Sequence, residues 1–242
     1  MIIIPARIGS TRFPRKVLAE IEGVPMVVAT AQRGAEVDKV VVATDSEEVV
    51  SVCKKFGVEA VLTSPTHPSG SDRVMEAVEI LGLGADEVVI NLQGDEPLIE
   101  PEILEKVRER VLELKRPFKM ATCCKKISPT DAQNPDIVKV VVDYNWDALY
   151  FSRSPIPYPR GEELEFYWGH LGIYGFNVDS LKKFVQMKGR VEHIEKLEQL
   201  RVLENGEKIA VVPVESRAVG VDTPADLERV REILSGVKEK IV

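Results

Sequence analysis

Three separated groups of residues in this chain have the types that phosphate chemistry needs. The first is the segment Pro5-Ala6-Arg7-Ile8-Gly9-Ser10-Thr11-Arg12-Phe13-Pro14-Arg15-Lys16, which carries four cations, and the first 16 residues contain no acid. It opens directly after the apolar run Ile2-Ile3-Ile4, where backbone N–H groups, a glycine and cationic side chains can wrap a polyphosphate. By itself such a loop also serves as a plain solvated surface. It is neither Gly-x-x-x-x-Gly-Lys-Ser/Thr nor Gly-x-Gly-x-x-Gly, so the usual ATPase and dinucleotide signatures are absent. The second group is Asn91-Leu92-Gln93-Gly94-Asp95-Glu96-Pro97 and the third is Gly220-Val221-Asp222-Thr223-Pro224. Mg²⁺ takes only one or two protein carboxylates and completes its shell with water and substrate phosphates, so Asp95 and Asp222 suffice to start a site. Each has a plainer use: Asp95 in a Gly-Asp turn, Asp222 as an acid complementing a helix start. Two aspartates from distant loops facing a cationic cradle are what metal-assisted phosphoryl or nucleotidyl transfer requires.

The elements that must carry these loops are legible as short β-branched runs with amphipathic segments between them. Ile2-Ile3-Ile4, Lys39 to Val42, Val58 to Val61 and Glu87 to Ile90 read as strands short enough to be buried on both faces. Val49, Val50, Cys53 and Phe56 follow helical spacing after Asp45-Ser46, as do Ile103, Leu104, Val107, Val111 and Leu114 after Pro101. Strand, helix, strand in this order predicts an α/β fold with a doubly wound, mostly parallel sheet over roughly the first 115 residues, with ligands at the strand carboxyl ends. From residue 118 the rhythm changes. Lys139 to Val142 and Ala148 to Phe151 flank Asp143-Tyr144-Asn145, which predicts an antiparallel excursion that could form a dimer arm. Thr223-Pro224-Ala225-Asp226 announces a final helix with a capping box and the apolar stripe Leu227, Val230, Ile233 and Leu234. No linker, repeat or low-complexity tract interrupts the chain, so residues 1–242 are expected to form a single domain.

Composition narrows the class. At 44% hydrophobic and 29% charged residues, the chain has ample material for a core and is not disordered, collagen-like or coiled-coil. A formal charge of −7 argues against a sequence-independent grip on nucleic acid. No stretch reaches the roughly 18 apolar residues of a membrane span, and the start lacks the form of a signal peptide. Three cysteines, two adjacent, make neither a disulfide framework nor a metal motif, so a cytoplasmic location without membrane insertion is expected.

Eight segments, in order along the whole chain, resemble those of the CMP-Kdo synthetases, the 3-deoxy-manno-octulosonate cytidylyltransferases. They are the Pro5 to Lys16 loop, Ser69-Gly70-Ser71-Asp72-Arg73, Gln93-Gly94-Asp95-Glu96-Pro97, Asn134-Pro135, Phe151-Ser152-Arg153, His170-Leu171-Gly172-Ile173-Tyr174, Leu197-Glu198-Gln199-Leu200-Arg201 and Gly220-Val221-Asp222-Thr223-Pro224. The resemblance implies a nucleotide-diphospho-sugar transferase-like fold, CTP and the acid sugar Kdo as substrates, Mg²⁺ as cofactor, a homodimer, and a role in lipopolysaccharide synthesis. It implies that Arg7 and Lys16 bind the CTP phosphates, that Pro5 and Ala6 offer backbone to base or ribose, and that Ser71 and Arg73 border the nucleotide. Asp95 and Asp222 match the magnesium-binding aspartates. Gln93, Arg153, His170, Tyr174, Glu198 and Gln199 fall in the sugar pocket, with Arg153 suited to a carboxylate because a guanidinium pairs in bidentate fashion. The chain departs from the family at Pro14-Arg15-Lys16, where Pro-Gly-Lys is common, and at Gly169, where an arginine often precedes the histidine.

Several of these residues also have structural readings. His170 suits a hydrogen-bonded core histidine, His67 a loop, and His193 a helix start. Cys123 and Cys124 are expected to pack on opposite faces of a strand. Ile194, Leu197, Leu200 and Leu203 form one helical stripe over Val191 to Leu203, with Glu198 and Gln199 outside its centre. Two other functions stand beside the first: a cytidylyltransferase for another acid sugar such as a sialic acid, and a non-catalytic nucleotide-sugar sensor. Retention of both Asp95 and Asp222 speaks against the sensor.

Overall fold

The computed structural model describes residues 1–9, 13–161 and 163–238, so Ser10, Thr11 and Arg12 of the cationic loop lie outside the described residues. The chain divides into two compact units: residues 1–83, 91–104 and 216–242, and residues 84–90 and 105–215.

The first unit is built on the apolar runs. β1 (Ile2–Ala6) is followed by the small antiparallel pair β2 (Glu20–Ile21) and β3 (Val24–Pro25), then α1 (Met26–Ala35) and β4 (Val40–Thr44). All five β4 residues are buried, as a parallel strand covered on both faces must be, and β4 pairs in parallel with β1 from Ile2↔Val40 to Ala6↔Thr44. α2 (Glu47–Lys55) starts at Ser46, whose hydroxyl accepts Val49 N–H, and leads to β5 (Glu59–Leu62), parallel to β4. Burial on both faces fails at β5: among the described residues β4 alone pairs with it, and Leu62 is 50% exposed. α3 (Gly70–Leu81) begins at the Ser69 cap and stops at Gly82, whose φ of 64° suits a residue without Cβ.

β6 (Val88–Asn91) and α4 (Pro101–Glu113) continue the alternation, and Leu92 N–H donates to the Ile3 carbonyl at 3.1 Å. The second unit then develops the predicted antiparallel character. β7 (Met120–Ile127), the turn α5 (Pro129–Ala132), β8 (Lys139–Val142), β9 (Ala148–Ser152) and β10 (Tyr167–Asn177) follow in order. β8 pairs antiparallel with β9, and β10 antiparallel with β7. Cys123 and Cys124 are both fully buried in β7. α6 (Val178–Gln186), α7 (Val191–Glu195), α8 (Leu200–Glu204) and β11 (Ala210–Pro213), parallel to β7, complete the unit.

α9 (Pro224–Lys238) returns to the first unit with the expected capping box: Asp226 N–H donates to Thr223 Oγ1 at 3.3 Å, and Thr223 N–H donates to Asp226 Oδ2 at 2.8 Å. Leu227 and Val230 join Ile21, Met26 and Val221 in a buried cluster, each contributing about 1.5–3 kcal/mol on burial. Ile233 is not part of the buried stripe; it is 38% exposed because the helix turns that position outward. Among the described residues no helix is long and apolar enough to cross a membrane.

Candidate functional site

The cationic loop, the Gln93–Asp95 turn and the segment before α9 meet in the first unit. They line a hollow of about 320 Å³ together with the start of α3, a size in the range of small-molecule sites. Pro5, Arg7, Lys16, Arg73, Gln93, Asp95 and Asp222 are all at its wall. Lys16 begins a short 3-10 turn and sends Nζ to Asp95 Oδ2 at 2.5 Å and to Asp222 Oδ1 at 3.1 Å. Burial opposes the Lys16 ammonium, but Asp95 and Asp222 outweigh that effect and hold its pKa above the ordinary value. The main chain fixes the same meeting, because Val221 N–H donates to the Asp95 carbonyl at 2.9 Å. The departure at residue 15 is visible in the backbone. Arg15 has φ 58°, the left-handed region that a glycine occupies without strain, and its guanidinium is paired with Glu48.

The opposite wall is the N-terminus of α3. Ser69 caps it and Gly70 opens it, so the positive end of the helix dipole belongs to the hollow. Arg73 is buried, donating through Nη2 to Asp45 Oδ2 at 3.0 Å and through Nη1 to Thr63 Oγ1 at 2.6 Å. Asp45 in turn accepts Ile8 N–H at 3.2 Å, which ties Arg73 to the cationic loop. Ser71, which the resemblance places beside the nucleotide, is not among the residues at the wall of the hollow. It is fully buried and its hydroxyl accepts Asn91 Nδ2 at 3.2 Å, while Gln93 Nε2 donates to Asn91 Oδ1 at 3.4 Å. Ala6 is likewise buried and is not at the wall of the hollow.

Two residues that the sequence did not assign to a site belong here. His67 is at the wall, its Nε2 bonded to Glu76 Oε2, which also accepts Ser64 N–H at 2.7 Å. Burial alone raises the Glu76 pKa, but the bonds from His67 and Ser64 bring it below the ordinary value. Asp45 was legible only as part of a helix start.

The remaining candidates form a cluster in the second unit. Arg153 spends Nε on the Glu195 carbonyl (2.7 Å) and Nη1 on the Pro135 carbonyl (2.9 Å), while the Glu195 carboxylate accepts Arg153 N–H and the Ser152 hydroxyl. Nearby Lys139 is fully buried, its ammonium donating to the carbonyls of Asn134, Ile137 and Arg153. Burial and the Arg153 charge lower its pKa, against Glu195. His170 lies edge-on to Phe151 and 5.6 Å from the Tyr174 ring. Thr122 Oγ1 has one proton and directs it to the Ile173 carbonyl at 2.7 Å, so His170 Nε2, 2.8 Å away, is the donor to that hydroxyl. Burial pushes the His170 pKa down to about 3 and raises that of Tyr174.

The single helix expected over Val191 to Leu203 is two short ones. Lys196 is left-handed at φ 57° and ends α7, so the stripe is broken and Ile194 is 80% exposed. The break turns Gln199 inward. It is 2% exposed and accepts the Tyr174 hydroxyl at 3.1 Å, while its buried Nε2 has no hydrogen-bond partner among the described residues. Glu198 precedes it, partly buried.

Among the described residues no three His, Cys, Asp or Glu side chains gather as a metal site. Asp95 and Asp222 do present two hard oxygens to one point, the position of Lys16 Nζ. That donor set suits Mg²⁺, which leaves most of its shell to water and phosphate.

Residues 1–209 match the cytidylyltransferase family. The chain is 53% identical over 233 residues to the 3-deoxy-manno-octulosonate cytidylyltransferase of a Nitratiruptor species, covering 95% of this chain and 98% of that one. It is 50% identical over 241 residues to the enzyme of the same name from Wolinella succinogenes, covering 96% and 98%. A solved structure of CMP:2-keto-3-deoxy-manno-octonic acid synthetase complexed with CTP superposes with a TM-score of 0.91 at 42% identity, covering 97% and 98%.

Proposed function

From the premise that the chain belongs to the 3-deoxy-manno-octulosonate cytidylyltransferase family, we propose that residues 1–242 work as one domain that transfers CMP from CTP to the anomeric 2-hydroxyl of Kdo. Pyrophosphate is the second product, the location is the cytoplasm, the assembly is a homodimer, and CMP-Kdo feeds lipopolysaccharide synthesis. The observation that carries the reading is the meeting of Lys16, Asp95 and Asp222 at one point of a hollow lined by cationic side chains and a helix N-terminus.

In the first unit, Arg7 and Lys16 neutralise the triphosphate, Pro5 and Ala6 offer main chain, and Arg73 borders the nucleotide. Ser71 acts through Asn91 to orient Gln93 toward the sugar. Asp95 and Asp222 would hold Mg²⁺, which would supply neutralisation of phosphate charge and Lewis acidity. In the second unit Arg153, His170, Tyr174, Glu198 and Gln199 bind the acid sugar. The buried Gln199 Nε2 supports this role, because a buried donor that lacks a partner among the described residues fits a site completed by a ligand. Neutral His170 acts as a hydrogen-bonding group rather than a charge. In the reaction the sugar 2-oxygen forms a bond to the α-phosphorus, the bond to the bridging oxygen of pyrophosphate breaks, and the hydroxyl proton leaves to solvent. No general base is assigned.

The test is pyrophosphate release from the purified protein with CTP and Mg²⁺, comparing Kdo, N-acetylneuraminate and no sugar, with the product mass checked. Release with Kdo alone is expected. Release with N-acetylneuraminate alone overturns the sugar assignments and leaves the metal chemistry. CTP binding without turnover on either sugar favours the sensor.

A further inference from the structure

Lys16 occupies the point between two carboxylates that a divalent cation would take. Its Nζ is 2.5 Å from Asp95 Oδ2 and 3.1 Å from Asp222 Oδ1, and its side chain is mostly buried while Asp222 is half exposed. Two carboxylates brought together from loops more than a hundred residues apart repel each other, and the ammonium offsets that repulsion. A metal ion entering the same point meets a cation already there. A polyphosphate in the hollow gives the flexible Lys16 side chain a second, more strongly charged partner, and drawing the ammonium to it leaves the aspartates to the metal.

From this geometry we infer that Lys16 is a stand-in cation whose presence between Asp95 and Asp222 keeps divalent metal from binding well until nucleotide arrives. The inference rests on the assignment of the two aspartates to Mg²⁺. It makes metal occupancy conditional on substrate through one side chain, with no movement of the backbone.

The probe is Mn²⁺ binding to the protein without nucleotide, followed by the electron paramagnetic resonance signal of the free ion, in the wild type and in Lys16→Met, Lys16→Gln and Lys16→Arg. Removing a unit charge in contact with the site is expected to tighten Mn²⁺ binding at least about tenfold in Lys16→Met and Lys16→Gln, whereas Lys16→Arg keeps the wild-type weakness. Adding Asp95→Asn to Lys16→Gln is expected to abolish the gain, which places the metal at this site. The thermal midpoint of Lys16→Gln should also rise more with added Mn²⁺ than that of the wild type. Equal Mn²⁺ affinity in the wild type and both neutral variants overturns the inference. The metal assignment fails separately, if Asp95→Asn alone keeps Mg²⁺-dependent turnover.

Discussion

Gly169 lies so close to Ile127 that an added Cβ would sit 2.7 Å from the Ile127 Cγ2 atom. The two residues are on neighbouring antiparallel strands, and Ile127 is itself buried with Ala132 and Tyr167. The missing arginine before His170 is therefore a packing matter, since the branched carbon of Ile127 fills the space and cannot swing away as a long side chain would. Gly169→Ala should cost about 1–3 kcal/mol through overpacking. Combined with Ile127→Ala it should cost less than the sum of the two single changes, because the cavity made by one receives the methyl of the other. Denaturant unfolding of the four proteins reads this directly, and strict additivity would refute the contact.

His170 makes stability depend on pH in a definite direction. Its pKa is about 3 in the folded protein against 6.5 for the free group, so between those values the unfolded chain binds the extra proton. The contribution is complete above about pH 6.5 and is lost as pH falls, with a slope of about 1.4 kcal/mol per unit for one proton. Carboxylates add their own acid dependence to any variant, so the informative quantity is the difference from His170→Gln. Unfolding free energies at pH 7, 6, 5 and 4.5 should converge toward those of the variant as pH falls. Parallel curves would place a charged histidine in the folded state.

The first unit was the more legible in sequence because its strands are buried on both faces or bounded by caps: the runs ending at Ala6 and Thr44, Ser46 before α2, and Thr223 with Asp226 before α9. The aspartates could be named there because glycine-bearing loops of unlike composition carried them. β5 escaped the rule since local sequence does not tell an edge strand from an inner one. The segment around Gln199 was misread because helical spacing of apolar residues says nothing about Lys196 adopting the left-handed region. The links from Asp45 to Arg73 and from His67 to Glu76 depend on distant pairings that no local pattern encodes.

Arg153 combines a structural clamp with a proposed substrate contact, and two substitutions separate them. Its guanidinium joins the Pro135 and Glu195 carbonyls, which a shorter ammonium cannot bridge in the same way. Arg153→Ala should raise the KM for Kdo with little change in that for CTP and lower stability by roughly 1–2 kcal/mol from the lost bonds. Arg153→Lys should recover part of the Kdo affinity by charge alone. Steady-state kinetics with each substrate varied in turn distinguish the cases, and a defect confined to CTP would move Arg153 to the nucleotide side.

Asp95→Asn tests the centre of the site with the least disturbance to the fold. The change keeps side-chain volume and leaves the Asp95 carbonyl to accept Val221 N–H, so the two loops remain joined. Lys16 retains Asp222 as a partner, and the hollow keeps its cations. What is lost is one of the two hard anionic oxygens available to Mg²⁺, and an amide oxygen is a poor substitute for that charge. Turnover with CTP and Kdo should fall by roughly a hundredfold or more, with the thermal midpoint close to wild type, and added Mg²⁺ should restore only part of the loss. Near-normal turnover at ordinary Mg²⁺ would remove Asp95 from the mechanism and leave its bond to Lys16 as a purely structural ion pair.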